Sequence, residues 1–122
     1  MTGGCLCGGV RFELTAPARN VFVCHCSLCR RTGTLAGAYT AVPRSALVLG
    51  NDATLTRYLD ANGRERGFCR TCGSTLFWSA EGRDTISVSA GALDEPSGLH
   101  VERHIHLDDA ADWEPPPAYD PA

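Results

Sequence analysis

Lysine is missing from this 122-residue chain, and all eleven of its basic residues are arginine. That excludes chemistry resting on a lysine imine, and it excludes a Walker-A loop, whose lysine reaches the β- and γ-phosphates. Long apolar runs are missing too. The longest stretch without charge, "TGTLAGAYTAVP" at 32–43, is too short to span a bilayer and is interrupted by Gly and Thr. The opening "MTGGCLCGGVRF" has neither a basic n-region nor an apolar h-region, so no export signal is expected and a cytoplasmic location is predicted. A net charge of −3 offers no electrostatic footprint for nucleic acid. Neither a membrane nor a nucleic acid is therefore expected as a partner, and oligomeric state is not legible.

Helical periodicity is scarce as well, and no internal repeat is visible. What the chain does show is strand alternation, as in "GVRFELT" at 9–15, where Val10, Phe12 and Leu14 share one face. Further short strands are predicted at 20–24, 36–42, 46–49, 54–59, 75–79, 84–90 and 100–107, separated by turn signals at 50–52, 61–63 and 81–84. "SLCRRTG" suits a single helical turn closed by Gly33. The predicted class is mainly β, with short antiparallel strands in several small sheets and little helix. A chain of this length and 43% hydrophobic content is read as one domain over 1–113, followed by a proline-rich tail at 114–122.

Seven cysteines stand out. A cytosolic chain keeps its thiols reduced, so they read as metal ligands or reactive thiols rather than disulfides. "CRTC" at 69–72, followed by Gly73, has the spacing at which two thiolates converge on one zinc ion. Two sets compete to complete it: Cys5 with Cys7, or two of Cys24, Cys26 and Cys29. If Cys5, Cys7, Cys69 and Cys72 form a closed site, Cys24, Cys26 and Cys29 remain as a trio. Three ligands leave a fourth position open, as catalysis requires. Three thiolates also weaken zinc as a Lewis acid, so such a site suits a fourth thiolate better than it suits making hydroxide. The simpler alternative is a second structural site closed by a histidine, for which His25, His104 and His106 are candidates. Of these, His25 lies between two ligands and is expected to point away. Arg30 and Arg31, directly after Cys29, are either solvated charges on a turn or an attraction for an anionic thiol. "HVERH" at 100–104 is no zincin motif, because the Glu is displaced and a strand would set the two histidines some 13 Å apart.

The ordered set "GGCLCGGVRFEL", "CHCSLCRRTG", "GFCRTCGSTLFW", "VSAGALDEP" and "RHIHLDDAADW" resembles the glutathione-dependent formaldehyde-activating enzyme family. The resemblance implies a zinc-stapled, Mss4-like β fold. It implies a structural zinc on Cys5, Cys7, Cys69 and Cys72 and a second, exchangeable zinc on Cys24, Cys26 and Cys29, two zincs per chain. The implied activity is a carbon–sulfur lyase chemistry, the addition of glutathione or a similar thiol to formaldehyde or another small aldehyde, giving an S-hydroxymethyl adduct. On that reading Arg30 and Arg31 bind the carboxylates of the tripeptide, and His104 supplies the proton to the developing alkoxide. The alternative on the same fold is a non-catalytic protein that uses zinc to bind the thiol or its adduct.

Overall fold

The computed structural model describes residues 1–114, so the predicted tail beyond Glu114 lies outside the described residues. Among the described residues the chain is mainly β, as expected, with ten strands and one α-helix, α1 (Ser27–Thr32). Strands β1 (Thr2–Gly4), β2 (Arg11–Leu14) and β5 (Leu47–Asn51) form a three-stranded sheet in the order β1-β2-β5. The remaining strands are β3 (Val21–Cys24), β4 (Gly37–Pro43), β6 (Leu55–Leu59), β7 (Arg64–Cys69), β8 (Thr75–Ala80), β9 (Thr85–Ser89) and β10 (Val101–Ile105). They form a seven-stranded sheet in the order β10-β3-β4-β9-β8-β7-β6. All pairings are antiparallel except β10 with β3, which is parallel.

Two strands have no counterpart in the expected set. β1 is only three residues long, and β7 begins with the charged run Arg64-Glu65-Arg66, which lacks the β-branched and aromatic signature of a strand. β7 forms because β6 and β8 pair with it on both sides.

The register explains why the large sheet has two different faces. Thr40, Val88, Phe77 and Gly67 are successive cross-strand partners along one transverse row. Its neighbouring row runs Ala41, Ser87, Trp78 and Arg66. Because side chains alternate along each strand, these rows face opposite sides of the sheet. The first row belongs to the core, where Val88 and Leu76 are fully buried and Phe12 of the small sheet meets Phe77 edge-on at 5.3 Å. The second row faces a cleft.

The core cluster joins Val10, Phe12 and Leu14 to Val42, Leu76 and Val88, and it includes the sulfurs of Cys5 and Cys69. Leu76 is the largest fully buried side chain among the described residues, so Leu76→Ala leaves a cavity in the close-packed core. An expected loss of about 2–5 kcal/mol would be read in urea unfolding of the metal-replete protein, as a lower midpoint at unchanged slope.

Candidate metal centres and active-site cleft

Cys5, Cys7, Cys69 and Cys72 gather their sulfurs within 4.8 Å of one another. Each pair sits on a tight turn that ends in a glycine of positive φ, Gly8 at 81° and Gly73 at 78°. There a side chain would be strained, and the turn lets both sulfurs point the same way. The Gly8 amide donates to the Cys5 carbonyl at 3.2 Å and the Gly73 amide to the Cys69 carbonyl at 2.8 Å. Sulfur separations of 3.7 Å (Cys5 to Cys7) and 3.6 Å (Cys7 to Cys69) far exceed a disulfide bond. They match the edge of about 3.8 Å in a tetrahedron whose metal–sulfur bonds are about 2.3 Å.

The surroundings favour thiolates. Val10 N–H donates to Cys5 Sγ at 3.2 Å and Cys72 N–H to Cys69 Sγ at 3.4 Å, while the Thr54 hydroxyl lies 3.1 Å from Cys69 Sγ. The Thr54 hydroxyl and the Cys72 amide lower the Cys69 thiol, and the Ser74 hydroxyl draws Cys72 down to about 5. Cys7 goes the other way. Although the Gly9 amide favours its thiolate, the neighbouring sulfurs, Cys69 first, help push it up to about 11. Four sulfurs this close cannot all ionise without a cation among them. The donor set therefore fits a thiophilic divalent ion, consistent with zinc.

Cys24, Cys26 and Cys29 form a second group, also within 4.8 Å. Cys24 ends β3, Cys26 caps α1 and Cys29 lies in its first turn, so one strand-to-helix corner delivers all three. Cys26 Sγ accepts from the Cys29 amide at 3.4 Å. Gly33 closes the helix by donating to the Cys29 carbonyl at 2.8 Å. A hydrogen bond from Cys29 lowers Cys24 to about 5 despite partial burial, whereas the same bond and burial push Cys29 up. The trio has the same like-charge problem as the quartet, and it also fits a metal ion. It differs in being three sulfurs with an open side.

That side faces a cleft of about 710 Å³, within the size range of small-molecule sites. Cys24 and Cys26 line it, while Cys29 is buried behind them. Four arginines face the same space: Arg19, Arg64, Arg66 and Arg83. Among the described residues no acidic side chain lines it. Arg19 stacks 3.9 Å above the Phe22 ring and donates to the Asn20 and Tyr39 carbonyls, and Arg64 pairs with Asp60 at 3.0 Å. Arg66 and Arg83 have no carboxylate within 4.0 Å among the described residues. A chain of net charge −3 thus concentrates positive charge over one concavity, which draws an anionic ligand.

The structure distributes the other expected site residues differently. Arg30 Nε donates to the Asp109 carbonyl at 3.2 Å and ties α1 to the turn Leu107–Asp109, and Arg31 is exposed. Neither lines the cleft. His104 lies 3.1 Å, through Nδ1, from Nε2 of His25, which is fully buried and whose Nδ1 is 3.2 Å from Glu114 Oε1. Burial, and then the charge on His25, lower the His104 imidazole. The histidine lining the cleft beside Cys24 is His106. Simple alternation puts His104 and His106 on one face. β10 stops at Ile105, and His106 leaves it in a left-handed conformation at φ 57°, which breaks the alternation between the two histidines. Arg64 and Arg66 also escaped the sequence reading. Their only local signal is the Arg-x-Arg alternation of a strand whose charged start hid it.

The profile of the family described as "Glutathione-dependent formaldehyde-activating enzyme" matches residues 1–109. The chain belongs to that family. A Halomonas elongata protein provisionally named for the same activity is 32% identical over 124 residues, a match spanning 93% of this chain and 78% of that protein. A Schizosaccharomyces pombe protein named an uncharacterized lyase is 23% identical over 114 residues, covering 90% and 80% respectively. The crystal structure of a Rhodobacter sphaeroides protein superposes with a TM-score of 0.63 at 30% identity, covering 78% of this chain and 89% of that one. Within the formaldehyde-activating family frame, both cysteine groups and the cleft's floor fall inside the matched span. No helix among the described residues is long and apolar enough to cross a membrane.

Proposed function

We propose that this chain is a carbon–sulfur lyase-type enzyme, operating in the cytoplasm, that adds glutathione to formaldehyde and yields S-hydroxymethylglutathione. One observation carries the reading: the open side of the Cys24–Cys26–Cys29 trio gives onto an arginine-walled cleft that no acidic side chain lines among the described residues. A tripeptide thiol with two carboxylates matches both features at once, its sulfur at the trio and its carboxylates at Arg66 and Arg83. On this reading Cys5, Cys7, Cys69 and Cys72 hold a structural zinc and Cys24, Cys26 and Cys29 an exchangeable one, two per chain. A zinc ion held by those three thiolates would accept a substrate thiol and would keep it deprotonated at neutral pH.

The chain's own residues do the rest. Arg66 and Arg83 anchor the anionic ends and fix the direction in which the sulfur enters. The aromatic walls Phe22 and Trp78 exclude water from one side of the incoming aldehyde. Sulfur then attacks the carbonyl carbon, a C–S bond forms, and the C=O π pair moves onto oxygen. The thiol has lost its proton to solvent, and the alkoxide regains one from water at the mouth of the cleft, where His106 stands. We assign His104 a positioning role: through His25 it steadies the segment between Cys24 and Cys26.

This division of labour separates the arginines experimentally. Arg66→Met removes charge-assisted hydrogen bonds worth about 1.5–3 kcal/mol, so glutathione binding to the zinc-replete protein should weaken by roughly 10- to 100-fold in calorimetry. Arg31→Met should leave the affinity within about twofold, since its side chain is solvated. Equal losses at both positions would contradict the cleft as the glutathione site.

A further inference from the structure

Beside the trio stands a phenol that the reaction scheme above leaves unused. Tyr39 lies in β4 between Phe22 of β3 and Ser89 of β9, is 8% exposed, and lines the cleft with Cys24, Cys26 and Arg66. Its ring folds back along its own strand over Gly37. A Cβ built at Gly37 would meet Tyr39 Cε2 at 2.5 Å and Cys29 Sγ at 3.3 Å. Only the missing side chain lets the ring edge and the buried sulfur approach the same point. The trio and the phenol are therefore neighbours by construction of the strand.

Arg66 lines the same cleft as Tyr39, so the phenol shares its space with a cationic side chain. A tyrosine hydroxyl is ordinarily neutral at pH 7 and can donate its hydrogen. A neutral O–H beside the sulfurs, on a residue only 8% exposed, has the arrangement of an oxyanion donor.

Resting on the proposed addition reaction, we propose that Tyr39 is a catalytic residue whose O–H donates a hydrogen bond to the aldehyde oxygen as that oxygen gains the π electron pair. No proton need leave the phenol. The C–S bond forms, the C=O π bond opens, and the oxygen receives its proton from water after the hydrogen bond has carried its charge.

The test uses two S-substituted glutathiones of similar size on zinc-replete protein, the formyl compound freshly prepared because its thioester hydrolyses. S-Formylglutathione has a carbonyl oxygen where the adduct has its alkoxide, and S-ethylglutathione has a methyl group there. Calorimetry should show the wild type preferring the formyl compound by about 10-fold, as expected for one good hydrogen bond. Tyr39→Phe should erase that preference while keeping the affinity for S-ethylglutathione, which also reports that the cleft is intact. In turnover, Tyr39→Phe should lower kcat by about 100-fold or more with KM for glutathione unchanged. Equal wild-type binding of the two ligands, or a preference that survives in Tyr39→Phe, would overturn the assignment. Failure of both ligands to bind the wild type would remove the addition reaction and the Tyr39 role together. A preference lost in Tyr39→Phe, in a protein without turnover, would leave Tyr39 as the oxygen's partner and refute only the enzymatic reading.

Discussion

Replacing Cys26 by serine is expected to abolish adduct formation while the fold survives. Cys26 is half-buried, faces the cleft, and belongs to the three-sulfur group. Its removal leaves two thiols where the proposed reaction needs three. We expect turnover to fall by about 10³-fold, roughly 4 kcal/mol of transition-state stabilisation. Stability should hardly change, for a local reason. Cys26 is the N-cap of α1 and its sulfur accepts the Cys29 amide, a duty that a serine hydroxyl performs better than a thiol. The paired measurement is the rate of S-hydroxymethylglutathione formation beside a thermal melt. A variant that melts with the wild type yet has lost the rate supports the trio as the reacting centre. One that keeps the rate removes the trio from the chemistry.

Cys69→Ser should do the opposite and destroy the fold. Cys69 is fully buried, accepts a bond from Cys72 N–H, lies 3.1 Å from the Thr54 hydroxyl, and sits in the core cluster with Val10 and Phe12. A structural four-thiolate zinc contributes about 10–16 kcal/mol of apparent binding free energy in small zinc domains. The net stability of a domain is only about 5–15 kcal/mol. A serine oxygen in that shell also leaves a polar group among apolar side chains. The variant should be unfolded or insoluble at 25 °C, visible as loss of the β signal in circular dichroism. A folded Cys69→Ser protein that still holds two metal ions would show that the quartet is not the staple.

The grouping of these cysteines into a quartet and a trio was legible in the sequence because side chains that converge on one point often come in short spacings. Cys5-x-Cys7 and Cys69-x-x-Cys72 are turns, Cys24-x-Cys26-x-x-Cys29 is a strand end running into a helix, and such local geometry survives translation into space. The strand class was legible for a similar reason, since alternation at Val10, Phe12 and Leu14 is a local pattern. The cleft was not. Arg66, Trp78, Ser87 and Ala41 form one row only because β7, β8, β9 and β4 pair in a particular register, and register is a long-range property. Sequence proximity therefore favoured Arg30 and Arg31, next to the trio, although Arg30 serves to pin α1 to the turn at Asp109. His104 and His106 part for a local reason of another kind. One left-handed residue just past the end of β10 brings His106 to the cleft, and no periodicity announces it.

The most direct test is exchange NMR of formaldehyde and glutathione with their adduct at equilibrium, with and without the zinc-replete protein. The uncatalysed addition sets a baseline rate. The account predicts an exchange rate that rises in proportion to protein concentration, falls to baseline in Cys26→Ser, and requires the metal of the trio. An exchange rate indifferent to the protein, with glutathione nonetheless bound in the cleft, would contradict it and make this a protein that captures the thiol without turning it over.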